Sequence, residues 1–176
     1  MIGLRRGAPL IDLCPYTPKY RRQTLHRMAD FFGFHRALYN GESNIPSPTR
    51  ETRKTLKRWT AKDNSLYVIR SDGVSAGFVH IGWRGGNVAW IEDIYIDRAR
   101  RGQGLASQAI ACAEKIIAKD KRYTAVCMDV SPRNADALRL YARLGYTGIG
   151  MLTLRKELYE NDMDRDVNFL GHDFTY

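Results

Sequence analysis

Glu92 and Asp93 stand a few residues before Arg98, Arg100, Arg101, Gly102 and Gly104. The stretch begins like a buried strand, passes through a basic, glycine-rich turn, and continues as an amphipathic helix. Glycines in such a turn let the backbone expose its N–H groups, and a helix start points more of them outward. That combination suits an anion. Two common anion sites fit poorly. A dinucleotide fingerprint would want a third glycine where Ser107 stands, and the turn follows a strand meander instead of the first strand of a βαβ unit. A P-loop would need a Gly-Lys-Ser/Thr ending, which is absent. His26, His35, His80 and His172 lack metal-ligand spacing, and no Cys-x-x-Cys or Gly-x-Ser-x-Gly occurs. No metal site is expected.

More of the chain joins the pattern. Arg101-Gly102-Gln103-Gly104-Leu105-Ala106 has the form Arg/Gln-x-x-Gly-x-Gly/Ala. It follows a strand ending in Glu92-Asp93-Ile94-Tyr95-Ile96 and opens a helix; a second strand and the segment from Asn134 to Tyr146 come after it. In these four features, over about residues 65–155, the chain resembles the GNAT family of acyl-CoA N-acyltransferases, and within it the polyamine and aminoglycoside N-acetyltransferases. The resemblance implies an α/β fold with a mixed, mostly antiparallel sheet, a splayed central strand pair and flanking helices. It implies acetyl-CoA as co-substrate. The N–H groups of Gly102, Gln103, Gly104, Leu105, Ala106 and Ser107 would then form a nest for its pyrophosphate. Arg101 is the arginine expected nearest the phosphates. The pantetheine arm would pair with the backbone of Ile94, Tyr95 and Ile96, where this strand and Ala125–Val130 splay apart. Asn134 would contact the cofactor, cap the following helix, or do both.

Acetylating an amine poses three problems. A primary amine is mostly ammonium at neutral pH, and neutralising it costs about 4.6 kcal/mol for a pKa near 10.4. A positioned carboxylate can take that proton. Glu92 is the base that the resemblance implies, with Asp93 second; strand periodicity would point the two to opposite faces. Structural ion pairing with arginines is the competing role for both. The developing oxyanion needs a donor, and the analogy assigns it to the Ile94 N–H. The leaving thiolate needs a proton, and Tyr141 stands where the family carries a general-acid tyrosine. Packing is the alternative role for Tyr141, beside Leu138 and Leu144.

The elements that must position these groups can be read in outline. Residues 8–16 read as a strand. A helix begins near Pro18 and loosens around Gly33, and residues 41–50 form a loop rich in turn formers. Thr49 caps a basic helix. The period then changes to two, giving strands near 65–71, 74–83 and 87–96 with turns at Asp72-Gly73 and Gly85-Gly86-Asn87. After the glycine turn a helix runs to about Lys119. Residues 123–130 read as a strand buried on both faces. A helix closed by Gly145 follows, then a strand over 146–158 and a last one at Val167–Phe169. One domain is expected over residues 1–176: a variable part at 1–64, an acetyl-CoA-binding core at 65–155 and a C-terminal segment at 156–176.

Composition bounds the rest. The 176 residues are 44% hydrophobic, enough for a core of ordinary size. No apolar run is long enough to span a membrane, and no secretory signal is expected. Three widely spaced cysteines, Cys14, Cys112 and Cys127, read most simply as reduced thiols in a cytoplasmic protein. Residues 1–70 carry 14 Lys and Arg against 5 Asp and Glu, whereas residues 157–176 carry six acids and one arginine. A basic first half suits an anionic partner or a solvated helix face. The expected partners are acetyl-CoA and a small-molecule amine; a homodimer is allowed, and neither a membrane nor nucleic acid is expected. A protein lysine or N-terminal acetyltransferase is the alternative enzyme. Non-catalytic acetyl-CoA binding and nucleic-acid binding through residues 50–58 are the alternatives of another class.

Overall fold

A proline and a glycine bracket the first helix. Pro18 opens a short 3-10 turn, which runs into α1 (Arg21–Asn40). Gly41, at φ +70°, closes α1 by donating its N–H to the Ala37 carbonyl at 3.1 Å. The helix passes through Gly33 without a break, where the sequence suggests loosening. Leu25, Met28, Ala29 and Phe31 are buried along it, and their burial outweighs the roughly 1 kcal/mol that a mid-helix glycine costs. In this computed structural model residues 10–41, 47–156, 158–159 and 165–176 are described. Expectations that fall on 1–9, 42–46, 157 and 160–164 lie outside them: the start of the first strand, the centre of the 41–50 loop and part of the acidic tail.

The second helix, α2 (Arg50–Trp59), begins at a reciprocal cap. The Thr52 N–H donates to Thr49 Oγ1 and the Thr49 N–H to Thr52 Oγ1, each at 3.2 Å. Thr52, Thr55, Leu56 and Trp59 are buried, while Arg50, Arg53, Lys54, Lys57 and Arg58 stay exposed. The basic stretch is thus the solvated side of an amphipathic helix.

Two compact units divide the chain, Met1–Asp129 and Val130–Tyr176. The first holds a five-stranded sheet in sequence order: β1 (Ile11–Pro15), β2 (Asn64–Ser71), β3 (Val74–Gly82), β4 (Val88–Ile96) and β5 (Ala125–Cys127). The first three pairings are antiparallel and β4–β5 is parallel. Asp72 and Gly73 both take left-handed backbone, φ 51° and 78°, as a tight two-residue hairpin requires. Leu25, Met28 and Phe31 of α1, Leu56 and Trp59 of α2, and Leu66, Phe78 and Tyr95 of the sheet make one aromatic-rich core. Val79, Ile81 and Ile91 fill the opposite face, which α3 (Leu105–Ile117) covers with Leu105, Ala109, Ile110, Ala113 and Ile117. This is the mixed, mostly antiparallel sheet with flanking helices that the resemblance implies.

The sequence overstates two strands. Of residues 123–130 only Ala125–Cys127 pairs, and Ala125 is exposed while Val126 and Cys127 are half-buried. β-branched composition marks fitness for a sheet, and the ladder stops where the partner strand turns away. Residues 146–156 lie in no strand, because no ladder meets Thr147–Leu154 among the described residues. The second unit holds α4 (Ala135–Arg143) and a hairpin, β6 (Asp166–Phe169) with β7 (His172–Thr175). The strand expected at 167–169 thus has a partner that the sequence reading did not supply.

The cap on α2 gives a direct test. Thr49→Ala is expected to lower unfolding free energy by about 1 kcal/mol, with Thr49→Ser restoring most of it. Urea melts of the two variants beside the wild type measure this.

Candidate active site

Two irregularities in β4 build the site. The ladder between β4 and β5 consists of Val88↔Ala125, Ala89↔Val126 and Trp90↔Cys127, and then stops. Beyond Trp90, β4 continues to Ile96 with its other edge paired to β3. The edge of Ile91–Ile96 that faces away from β3 therefore meets no strand among the described residues. This is the splay that the resemblance implies. The second irregularity is a bulge: Asp93 pairs with His80 and Ile91 with Ile81, leaving Glu92 as an extra residue between them.

The bulge overturns an expectation from strand periodicity. An alternating strand would send Glu92 and Asp93 to opposite faces. Here an ideal Cβ on Gly82 would lie 2.1 Å from Glu92 Oε1, so the Glu92 side chain crosses the face on which Gly82 sits. Gly82, two residues from His80, shares a face with it, and His80 is paired with Asp93. Both carboxylates thus lie on the face covered by α1 and α2. The space over Gly82 exists because that residue has no side chain.

Their anchors differ. Arg84 grips Glu92 with a fork: Nε donates to Oε1 at 2.6 Å and Nη2 to Oε2. The guanidinium lies over the Trp90 ring, 4.0 Å from its centroid, with Asp129 Oδ2 3.7 Å from Nη2. Its bond to Glu92 raises the Arg84 pKa above the usual guanidinium value. Asp93 Oδ2 instead lies 2.8 Å from His80 Nδ1, and His80 Nε2 lies 2.8 Å from Asn64 Oδ1. Asn64 Nδ2 donates to the Lys62 carbonyl, which orients the amide oxygen toward the histidine. Nε2 must therefore carry a hydrogen, and a proton must also lie between Nδ1 and the carboxylate oxygen. His80 is buried and stacks on Trp59 with 4.6 Å between ring centroids. Among the described residues Asp93 Oδ1 has no hydrogen-bond partner.

The glycine turn sits at the end of β4, and α1 fixes that end. Arg27 donates to both Asp97 oxygens at 2.7 Å and to the Ser75 carbonyl at 2.9 Å. The Tyr95 hydroxyl donates to Asp30 Oδ2, and Arg98 Nη2 lies 3.1 Å from Asp30 Oδ1. Burial and then the Asp30 bond push the Tyr95 pKa up to about 12. Arg101, expected nearest the phosphates, donates from Nε to the Ile96 carbonyl at 3.1 Å, and its guanidinium lies over the rings of Phe34 and Tyr95. Gly102 and Gly104 both have φ +75°, and an added Cβ would meet nothing within 4 Å at either. Backbone conformation, and no crowding, demands glycine there. The first bond of α3 runs from the Gln108 N–H to the Gly104 carbonyl. The N–H groups of Leu105, Ala106 and Ser107 precede that ladder and are open to an anion, while the Gly102–Gly104 backbone is exposed.

A cleft of about 550 Å³ opens between α1 and α2 over Asp93. His35 lines it, a residue that the sequence reading set aside for lack of metal spacing. Its ring packs 4.4 Å from that of Phe31. Burial holds the His35 pKa below 6.5, partly opposed by the Asp93 charge. His80 was likewise missed; only the ladder register brings it to Asp93. In the second unit Asn134 caps α4, accepting the Ala137 N–H at 3.2 Å. Tyr141 is half-buried in α4, with its ring 6.1 Å from that of Tyr146. No cluster of three or more His, Cys, Asp or Glu suited to a metal occurs among the described residues.

The depressed His35 pKa has a stability consequence. The unfolded chain takes up that proton more readily than the folded one, so stability falls as pH drops through about 6.5 toward the folded value and is regained above it. His35→Gln is expected to narrow the drop in Tm between about pH 7.5 and pH 5. Thermal melts across that range check it.

Known proteins are similar to the chain in sequence and in fold. Acetyltransferase Atu2258 of Agrobacterium fabrum is 34% identical over 86 residues, a match spanning 48% of this chain and 59% of that protein. In fold, the chain is similar to the putative acetyltransferase YycN of Bacillus subtilis, with TM-score 0.64 at 17% identity over 85% of this chain and all of that one. It is also similar in fold to AAC(6′)-Iy in complex with the bisubstrate analogue CoA-S-monomethyl-acetylneamine, with TM-score 0.59 at 18% identity over 84% of this chain and 98% of that one. The acetyltransferase (GNAT) family profile matches residues 26–146, across α1, α2, the β2–β4 meander, the glycine turn and α4, and the chain belongs to that family.

Proposed function

We propose that the chain transfers the acetyl group of acetyl-CoA to a primary amine of a small molecule, by direct attack in a ternary complex. The observation that carries this reading is the open edge of Ile91–Ile96, ending at a turn whose backbone offers unpaired N–H groups. An extended arm with amide groups suits the former and a diphosphate the latter. The residues present therefore fit acetyl-CoA: Ile94, Tyr95 and Ile96 for the pantetheine, Gly102 to Ser107 for the pyrophosphate. When bound, acetyl-CoA supplies the activated thioester.

The chain's own groups do the rest. Ile94 is assigned the N–H donated to the thioester oxygen. Glu92 and Asp93 are the carboxylates for the amine, and of the two Asp93 has the free oxygen, while Arg84 holds both oxygens of Glu92. Glu92 then acts best as the group that fixes Arg84 against Trp90, and Asp93 as the group that meets the amine. Tyr141 is assigned to protonate the departing thiolate and Asn134 to contact the cofactor beside its capping role; both rest on the family resemblance. Unbridged Cys14, Cys112 and Cys127 suit a reducing, cytoplasmic setting. None of the helices among the described residues is long and apolar enough to cross a membrane.

Thiol release measured over simple amines, aminoglycosides and peptides tests the reading. Tyr141→Phe is expected to slow turnover by roughly thirtyfold at most, the rate equivalent of about 2 kcal/mol, because a thiol pKa near 8.5 leaves little to gain. A further variant addresses binding. Acetyl-CoA is expected to raise the Tm of the wild type, and Gly104→Glu to abolish that rise while leaving the domain folded. A rise in Tm that survives Gly104→Glu would place the cofactor elsewhere.

A further inference from the structure

The cleft over Asp93 has three chemical zones. At its floor lies Asp93, anchored through Oδ2 by His80 and with Oδ1 unpartnered among the described residues. Its walls include the rings of Phe32 and Trp59. Arg36 and Arg58 also line it, one from each helix. Arg58 donates to Thr55 Oγ1 at 3.0 Å, and neither arginine has a carboxylate within ion-pair reach among the described residues. By contrast Arg27, Arg70, Arg84 and Arg98 each hold an acid. The other acid of the lining, Glu51, is 3.6 Å from Lys54 on its own helix and largely exposed.

We infer that the acceptor is an amine joined to a carboxylate through an apolar spacer: Asp93 receives the nitrogen, Phe32 and Trp59 flank the spacer, and Arg36 and Arg58 take the acid. This deepens the acetyl-transfer reading and rests on it for the word acceptor. The zones account for the order of the contacts. The amine belongs at the floor because Asp93 borders the open edge of β4. A polycation meets two guanidinium groups that have no carboxylate partner among the described residues, so the cleft selects against diamines and aminoglycosides. A forked arginine is suited to a carboxylate.

Three probes of matched length and identical amine isolate the distal charge: 6-aminohexanoate, hexylamine and 1,6-diaminohexane. Their equilibrium binding to the full chain is measured by calorimetry. 6-Aminohexanoate is expected to bind about tenfold or more tighter than hexylamine, and 1,6-diaminohexane weakest. The double variant Arg36→Gln/Arg58→Gln alters exposed side chains and is expected to erase the preference for the acid while hexylamine binds as before. Asp93→Asn is expected to weaken all three, with Tm measured alongside to show that the fold persists. Equal or tighter binding of the diamine overturns the inference. So does an acid preference that survives the double variant, or the absence of measurable binding by any probe. Binding is read without turnover, so a failure of thiol release sinks the acetyl-transfer reading separately.

Discussion

The ladder between β4 and β5 lasts three residue pairs, and the site depends on where it ends. A nine-residue strand laid beside a three-residue one has backbone groups to spare. Inside a sheet such groups need partners, since a buried N–H or C=O left unpaired costs free energy comparable to a lost hydrogen bond. One is satisfied within the chain: Arg101 reaches back to the Ile96 carbonyl. The rest form an edge on which an extended ligand can add as a strand. The edge stays in place because the other side of β4 is locked to β3 and its end is strapped to α1 through Arg27–Asp97 and Tyr95–Asp30. The opening is a feature of a rigid element, which suits a site that must hold reacting groups within fractions of an ångström.

The bulge at Glu92 does the complementary work on the other axis. One extra residue brings two successive carboxylates onto one face, something no regular strand can do. The crowding of charge would be unfavourable if both were bare. Each has its own counter-group: a forked arginine stacked on Trp90 for Glu92, and a buried histidine for Asp93. Gly82 is the silent partner in this arrangement, since a methyl group there would collide with the Glu92 carboxylate. Breaking either pair by removing one member leaves a charge stranded, which typically costs several kcal/mol at buried positions. Partly exposed Arg84 falls below that range and buried His80 nearer to it.

Much of this was legible in the sequence, and the parts that were not share a cause. The α2 cap, the Asp72-Gly73 hairpin, the meander and the helix start after Gly104 are local: each is set by residues within about four positions of one another. The motif spacing likewise carried the family. What escaped depends on pairing register. Nothing within Ile91–Ile96 announces a bulge, because the extra residue exists only relative to β3. His80 and Asn64 look like unremarkable strand residues until the β2–β3 and β3–β4 registers bring them beside Asp93. Residues 123–130 failed in the same way, since composition alone cannot say how far a neighbouring strand will follow.

The two anchors also divide the labour between the carboxylates. Arg84 occupies both oxygens of Glu92 in one plane, so an incoming amine would have to compete with a delocalised cation that cannot give up its charge. His80 occupies only one oxygen of Asp93 and is itself hydrogen-bonded at its far nitrogen to a fixed amide oxygen. A donor approaching Asp93 therefore meets one oxygen without a partner among the described residues, whereas at Glu92 it meets a closed fork. In the proposed reading Glu92, the carboxylate that sequence analogy favours, serves as the strut, and Asp93 beside it as the partner for a nitrogen.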